Sequence, residues 1–389
     1  MSQSPVVVFT RTLFTFSIFA VGLGLACSYA AQAQARAPEV AASRFVIFDI
    51  TGAGTQAGQG TTPTYINNKG EVLGWTADEN NVFHGFLRSA DGEAAIFDVP
   101  GAGTDQYQGT FAPGLVPDGF NNHGDVAGQY LDANNTPHSF IRNADGTILS
   151  FDALESVAGS FADGINNKGQ AVGGVFGANF VYHAYVRSEI GTFEMFDAPD
   201  AGMGGTAQRY QGTFCTAINK EGEIAGVYSD SNNQEHSFFR DKDGNLTEFE
   251  IPGASGRQLA YAFSINNRGE ISGFYSDING ASHGFLRKRD GRLILFDPPG
   301  AGTAMGQGTL ALVINNHGEI TGFYNDTNNV GHGFVRRVDG SIVTFDAPGA
   351  GTDPYEGTFP NGINEDGDVT GDTTDANFAN HGFVLKSHD

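Results

Sequence analysis

The feature that most constrains this chain is a unit of about 50 residues that recurs seven times. The hairpin HGFLRSADGEAAIFD begins at His84 and returns with variations along the chain. Its histidines lie 45 to 54 residues apart, at His84, His138, His183, His236, His283, His332 and His381. A period of this length predicts a repeat architecture in which each repeat is one supersecondary unit.

A second marker precedes each histidine, and its first copy is INNKGEVLG from Ile66. Short apolar segments alternate with turn residues, which predicts four antiparallel strands per unit. In the first unit the predicted strands are 64–67, 71–76, 84–88 and 94–99. The Asp-Gly pair between the last two predicts a type I′ hairpin turn.

The two ends of the chain predict a closed structure. Phe-Asp or Phe-Glu ends the fourth strand, and its first copy, Phe48, precedes every histidine motif, whereas His381 has no fourth strand after it. Residues 45–50 are therefore expected to complete the last unit and to cover both sheet edges. The predicted fold is an all-β, seven-bladed β-propeller of four-stranded antiparallel blades, closed by pairing of the N-terminal strand with the C-terminal three strands. An open β-solenoid is the alternative.

These repeats resemble the HAF family of extracellular repeats, named for a His-Ala-Phe motif. The likeness runs from Arg44 to about Lys386 and rests on the INN-x-GE-x-x-G, HGF, HSF or HAY, DG and FD elements. It implies a secreted, bacterial, propeller-like protein. The family brings no established activity with it.

The start of the chain has the pattern of a secretory signal peptide. Arg11 precedes an apolar run from 13 to 26, and small residues at 31–35 offer cleavage sites. The run is shorter than the roughly 20 residues of a membrane span. A lipid anchor on Cys27 is the alternative, although Gly24 stands where such a motif has an aliphatic residue.

We accordingly divide the chain into a signal peptide (1–33), a short linker (34–43) and one propeller domain (44–387). We expect a protein that is secreted to the periplasm or the medium, has no membrane span and is a monomer. The formal charge of −23 repels phosphate backbones, so nucleic acid is not an expected partner. Cys215 is the only cysteine after the predicted leader, which excludes an internal disulfide framework.

The recurring side chains are interpreted first as structural. Histidines on the third strands of neighbouring blades would lie on the order of 15 Å apart, too far for a shared zinc. The glycine of each second strand predicts a close approach of backbone or aromatic rings. The aromatic residue two positions after each histidine is expected in the core between blades, as Phe86, Phe140, Tyr185, Phe238, Phe285, Phe334 and Phe383.

Alternating strand direction sorts the turns onto two faces. One face carries the NNxG and DG turns, and the other, here called the loop-rich face, carries the DxNN loops and the Gly-rich connections between units. Longer loops on a rigid scaffold are where binding usually resides. The DxNN loops, beginning at Asp78, Asp132, Asp230 and Asp326, offer oxygen ligands for calcium, but Ca²⁺ needs six to eight of them and Asx turns account for the same residues. No other cofactor is expected.

Catalytic motifs are lacking in the sequence: there is no GxSxG, and Cys215 occupies a position expected to be a small core residue. Asp105, Asp353 and Glu356 in the connections are candidate carboxylates. Departures from the repeat are the better guide to a binding site, because a single site breaks the symmetry. These are the connection with Arg209 and Tyr210, the connection with Arg257, and the segment GANFVY (177–182) that replaces a DxNN loop.

The function predicted from these features is a non-enzymatic binding or scaffolding propeller whose loop-rich face contacts a glycan or a protein. Its candidate binding residues are Arg209, Tyr210, Arg257, Asp105, Asp353 and Glu356. A carbohydrate-active hydrolase or lyase that uses the acidic residues of the same face is one alternative. A calcium-stabilised surface-structure protein is another.

Overall fold

The computed structural model describes residues 40–111, 119–154, 156–206, 210–255 and 259–387. The predicted signal peptide, most of the linker, Arg209 and Arg257 lie outside these residues. The described chain is all-β, apart from two short 3-10 helices at Ala42–Arg44 and Ala178–Phe180.

The strands follow the sequence repeat. Strand β1 (Phe45–Phe48) precedes the first unit. Unit 1 contains β2 (Gly60–Ile66), β3 (Val72–Ala77), β4 (Phe83–Arg88) and β5 (Ala94–Phe97). Unit 2 contains β6 (Gly109–Phe111), β7 (Val126–Leu131), β8 (Pro137–Arg142) and β9 (Ile148–Phe151). Unit 3 contains β10 (Ser160–Ile165), β11 (Ala171–Phe176), β12 (Val181–Arg187) and β13 (Phe193–Phe196).

The second half of the chain continues the pattern. Unit 4 contains β14 (Gln211–Ile218), β15 (Ile224–Ser229), β16 (Glu235–Arg240) and β17 (Leu246–Phe249). Unit 5 contains β18 (Tyr261–Ile265), β19 (Ile271–Ser276), β20 (Ser282–Arg287) and β21 (Leu293–Phe296). Unit 6 contains β22 (Gly308–Ile314), β23 (Ile320–Asn325), β24 (Gly331–Arg336) and β25 (Ile342–Phe345). Unit 7 contains β26 (Gly357–Ile363), β27 (Val369–Thr374) and β28 (Asn380–Leu385).

Neighbouring strands of a unit pair antiparallel. In unit 1, β2 pairs with β3, β3 with β4 and β4 with β5. Among the described strands, short parallel contacts at five boundaries join the third strand of one unit to the first strand of the next, as Phe83 does with Gly109. Each unit is therefore a four-stranded meander fixed to the following unit.

The N-terminal strand supplies the fourth strand of unit 7. Strand β1 pairs antiparallel with β28, from Phe45 opposite Leu385 to Phe48 opposite Gly382. The parallel contact between Gly60 and Asn380 joins unit 7 to unit 1 in the same way as the contact between Phe83 and Gly109 joins unit 1 to unit 2.

The turns differ from the predicted type. Type I′ requires positive φ at both central residues, which in the predicted turn are Asp91 and Gly92, and Asp91 does not have it. Instead Gly92 has a φ of 103° and donates its N–H to Ser89 O (3.0 Å), while the Ser89 N–H bonds Glu93 O (2.8 Å). This is a three-residue loop with a left-handed last residue, and the type I′ prediction is wrong.

The core lies between units, in the layers where one sheet packs on the next. The aromatic residues predicted there are fully buried in every unit, from Phe86 to Phe383. The second-strand glycines explain the fit, because a Cβ on Gly74 would lie 2.7 Å from the Phe86 ring and one on Gly273 would lie 2.6 Å from Phe285. Both predictions for these residues agree with the structure.

Asparagines of the NNxG turns link the units around the inner strands. The Asn121 side chain donates to Asn166 O (3.1 Å), and the same bond recurs from unit to unit until Asn364 donates to Asn67 O (3.2 Å). Between units 1 and 2 the Asn68 N–H bonds Asn122 Oδ1 (3.2 Å). These turns surround a small polar pocket of about 90 Å³.

Candidate functional site

The two faces predicted from strand direction are present. The loops from β3 to β4 (78–82) and from β5 to β6 (98–108) lie at one end of unit 1, and the NNxG and DG turns lie at the other. The repeats are most regular at the NNxG end, so the loop-rich face is where a single asymmetric site has room to form.

Each motif histidine is held within its own unit by aspartates of the loop-rich face. His84 Nδ1 lies 2.9 Å from Asp98 Oδ1, and His84 Nε2 lies 3.9 Å from Asp78 Oδ2. The hydrogen bond to Asp98 raises the pKa of His84 against the opposing effect of burial. Units 2, 5 and 6 repeat this arrangement, unit 3 keeps only the bond to Asp197, and His236 in unit 4 keeps only the contact with Asp230.

Unit 7 makes the same arrangement with a residue from the other end of the chain. His381 Nδ1 lies 3.0 Å from Asp49, which follows β1, and Nε2 lies 3.6 Å from Asp375. Burial opposes the charge on His381, but the hydrogen bonds and charges of Asp49 and Asp375 together outweigh it and the pKa is raised. The histidine therefore secures the N-terminal strand to β28.

The DxNN loops are Asx turns. Asp78 Oδ1 accepts the N–H groups of Asn80 and Val82, both at 2.8 Å, and Asp132, Asp230 and Asp326 do the same. Asp277 and Asp375 make identical turns that the sequence analysis missed because the second Asn is absent. The signal that finds all six is an aspartate six residues before the motif histidine.

The aspartate oxygen atoms that could bind calcium already accept hydrogen bonds within these turns. Within the described ranges no three residues among His, Cys, Asp and Glu are grouped closely enough to hold a metal ion. Calcium binding remains a hypothesis that the structure leaves without a defined ligand set.

The three candidate carboxylates are placed differently. Asp105 and Asp353 lie exposed in the connections into units 2 and 7. Glu356 is 3% exposed and accepts the N–H of Asp353 at 2.9 Å. Glu356 takes the position that glutamines occupy in other units, such as Gln307, whose Oε1 accepts the N–H of Ala304 (3.1 Å). The side chain of Glu356 thus fills a buried position inside the connection, and we call this position the loop socket.

Cys215 lies on the first strand of unit 4 and is fully buried. Burial raises the pKa of its thiol, and its Sγ faces Tyr185 O at 3.8 Å. A buried protonated thiol is a poor nucleophile, which agrees with its interpretation as a core residue.

The strongest departure from the repeat is a cluster of aromatic rings at the loop-rich end of units 3 and 4. We call it the aromatic patch, and its members are Phe161, Phe176, Phe180, Tyr182, Tyr210 and Phe214. Tyr210 lies 5.0 Å from Tyr182, 5.5 Å from Phe180 and 5.6 Å from Phe176, measured between ring centroids. Tyr182 continues to Phe214 at 5.7 Å and to Phe161 at 5.8 Å.

Both irregular segments singled out in the sequence contribute to this patch. GANFVY supplies Phe180 and Tyr182, after Gly177 replaces the turn aspartate, and the long connection into unit 4 supplies Tyr210. Phe180 is 41% exposed, whereas Tyr182 and Tyr210 are half-buried, and burial raises the pKa of the Tyr210 phenol. The sequence analysis named Tyr210 and the segment 177–182 but did not show that they meet.

Comparisons with known proteins bear on the fold. No protein-family model and no curated protein matches the chain. A solved streptogramin B lyase is similar over 88% of this chain and 97% of its own, with a TM-score of 0.55 and 15% identity. Virginiamycin B lyase from Staphylococcus aureus is similar over 88% and 99%, with a TM-score of 0.51 and 13% identity. These neighbours are β-propellers, and the chain has an all-β, propeller-type fold.

The described residues include no helix that is long and apolar enough to cross a membrane.

Proposed function

We propose that this chain is a seven-bladed β-propeller closed by its N-terminal strand, and that it is a secreted HAF-type protein. The pairing of β1 with β28, the contact between Asp49 and His381 and the asparagine bonds from unit to unit support the closed form. Small-angle X-ray scattering tests it: a closed ring of about 350 residues has a radius of gyration near ~20 Å, and a much larger value would favour the open solenoid.

We propose further that the protein is a non-enzymatic binding module for a neutral glycan, and that the aromatic patch is its principal site. The observation that carries this proposal is the convergence of six rings at one place on the loop-rich face, three of them (Phe180, Tyr182 and Tyr210) supplied by the two irregular segments. Tyrosine and phenylalanine rings offer flat apolar surface, and Tyr adds a hydroxyl for hydrogen bonding. Those are the groups that match a sugar ring, which has apolar C–H faces and a polar edge.

Charge favours a neutral ligand over an acidic one. The chain carries 44 acidic and 21 basic residues, and the Asp-containing turns of the loop-rich face surround the patch. A uronic or sulfated polymer would be repelled at low ionic strength. The amide and carboxylate oxygens of these turns can accept hydrogen bonds from sugar hydroxyl groups.

The test is a binding assay of the purified protein with four neutral polysaccharides (a β-glucan, an α-glucan, a mannan and a xylan) and two acidic ones (alginate and polygalacturonate). We expect saturable binding of a neutral polymer and no release of reducing or unsaturated sugar ends. Phe180→Asn combined with Tyr210→Ala should weaken this binding at least about tenfold, as expected for loss of an aromatic hot spot.

Ile190→Ala is the matched control, because Ile190 is 81% exposed in the turn between β12 and β13 of unit 3, on the opposite face. It should leave binding unchanged. Equal affinity in the patch variant and the parent would reject the aromatic patch as the site, and catalytic turnover of a polymer would replace the binding role with the lyase or hydrolase alternative.

A further inference from the structure

Two loop positions of the repeat carry an aromatic residue in some units, although the backbone conformation there disfavours aromatic residues. The last residue of each β3–β4-type turn is left-handed. Asparagine or glycine fills this position in five units, as Asn81, Asn135, Asn233, Gly280 and Asn329. Units 3 and 7 instead have Phe180 (φ 58°) and Phe378 (φ 60°). Bulky residues rarely adopt positive φ, because the Cβ is crowded there.

The second position lies in the connections between units. Gly58 (φ 78°) and Gly306 (φ 79°) occupy it before units 1 and 6. The equivalent residues before units 2 and 7 are Tyr107 (φ 66°) and Tyr355 (φ 72°). Glycine satisfies this conformation without strain, so the two tyrosines are also strained substitutes for a residue that fits better.

The two positions touch each other where consecutive units meet, a place we call a boundary. The Tyr107 N–H donates to Asn81 O and the Tyr355 N–H donates to Asn329 O, both at 2.8 Å. At the boundary between units 7 and 1 the roles are exchanged, and the Gly58 N–H donates to Phe378 O at 2.8 Å. Each of these three boundaries therefore presents one aromatic residue beside one Asn or Gly.

Packing within the protein accounts for little of this pattern at the two most exposed positions. Tyr355 is 63% exposed and Phe378 is 43% exposed. Their backbones are strained and their rings are accessible to solvent. Most equivalent positions have no aromatic residue. Tyr107 is half-buried and packs on the cluster that contains Trp75 and Phe83, much as Tyr210 packs within the aromatic patch. Strain that brings no burial is a mark of a functional position.

We propose that Tyr355, Phe378 and Tyr107 form three further subsites for the same neutral glycan, at the consecutive boundaries 6/7, 7/1 and 1/2. This proposal rests on the glycan-binding function proposed above and extends it from one site to several. The nearby carboxylates of Asp353, Asp375 and Asp105 disfavour an anionic ligand here too. Several subsites on one face raise the apparent affinity for a polymer far more than for a short sugar, through effective concentration.

The internal repeats supply the test substitutions. Tyr107→Gly, Tyr355→Gly and Phe378→Asn each install the residue that an equivalent position already has. The triple variant should stay folded, because equivalent positions already carry these residues, and should bind the polysaccharide identified above at least about tenfold more weakly. Its binding of an oligosaccharide of two or three residues should change by less than about twofold, because the aromatic patch is intact.

Asn233→Gly is the control, because it changes a left-handed turn residue without removing a ring. It should leave both polysaccharide affinity and binding stoichiometry unchanged. If the triple variant melts lower than the parent, Tyr355→Gly alone replaces it, and a loss of at least about threefold in polymer affinity is expected from this single change.

The outcomes separate this inference from the function on which it rests. Unchanged polymer affinity in the triple variant, together with a loss in the Phe180 and Tyr210 variant, would overturn the additional subsites and leave the patch in place. Unchanged affinity in both variants would reject both sets of residues as the binding site, and a lack of saturable binding of any neutral polysaccharide by the parent would overturn the glycan-binding proposal itself. A loss of polymer affinity in the triple variant, with Asn233→Gly unaffected, would support the subsites.

Discussion

Replacement of Glu356 by glutamine should stabilise the protein. In four other connections a glutamine closes the loop with two hydrogen bonds. Gln307, for example, accepts the Ala304 N–H with Oε1 (3.1 Å) and donates Nε2 to Thr327 O (3.1 Å). Gln59 and Gln211 donate to the residue at the same offset, Glu79 O at 3.0 Å and Ser231 O at 3.2 Å.

Glu356 can make only the first of these bonds as a carboxylate. Its Oε2 accepts the Asp353 N–H, and the equivalent carbonyl for its other oxygen belongs to Ala376, twenty residues on. An ionised carboxylate has no proton to donate to that carbonyl. Glu356→Gln supplies the donor for this buried hydrogen bond, so the expected gain in stability is about 1 kcal/mol.

Differential scanning calorimetry at pH 7 measures this gain. Unfolding entropy of about 2.1 cal/mol/K per residue over roughly 350 residues converts it to a rise of about 1–3 °C in Tm. Gln307→Glu is the reverse change in an equivalent socket and should lower Tm by a similar amount. A Tm that falls in Glu356→Gln, or that stays constant in both variants, would refute the reasoning. Glycan binding should be the same in Glu356→Gln and the parent, because the side chain is buried.

Three further predictions follow from buried contacts and shifted pKa values. Gly273→Ala should destabilise the protein by about 3 kcal/mol or more, because the added Cβ would lie 2.1 Å from Tyr261 O, whereas Gly204→Ala, which has nothing within 4 Å, should be neutral in urea unfolding. The raised pKa of His381 contributes stability that is fully present below its unfolded pKa of about 6.5 and is lost as pH rises through the folded pKa. His381→Gln should therefore cost more stability at pH 5 than at pH 8. An equal cost at both pH values would contradict this. The pKa of Asp277 is lowered, because burial opposes the charge but the hydrogen bonds from Ala281 and Asn279, together with the nearby His283, outweigh it. This stability is present above about pH 4 and is lost as pH falls through the folded pKa. Asp277→Asn should therefore flatten the acid limb of a pH titration of Tm, and an unchanged limb would show that the Asx turn does not contribute.

Much of the fold could be predicted from the sequence, because the repeat presents the same evidence seven times. Apolar alternation and the NNKG and Asp-Gly turn residues placed the strands of unit 1 within a few residues, although β2 begins at Gly60 rather than at residue 64. The turn type was mispredicted because Asp-Gly fits two hairpin loops. The backbone of Asp91, which decides between them, depends on the register of the flanking strands.

The candidate site was predictable only in part. Departure from the repeat pointed to Tyr210 and to residues 177–182, but their contact depends on how two units pack, which one-dimensional spacing does not encode. Burial was equally hidden: Glu356 resembles the exposed acids of other loops in sequence, and only comparison with the glutamine sockets reveals its place. The strain at Phe378 and Tyr355 was also hidden, because it depends on their φ angles, which only the structure of the backbone shows.

The pairing of β1 with β28 also fixes the order in which this protein can be completed. Strand β1 can pair with its partner only when β28 has been synthesised. The contact between Asp49 and His381 spans 332 residues of sequence. Until then the chain has unpaired strand edges at both ends, and Val46 and Ile47, each 40% exposed even in the finished fold, lie on one of them. Unpaired apolar edges promote association between chains. This part of the fold therefore forms only after β28 has been synthesised, in a step that brings the first and the last described strands together.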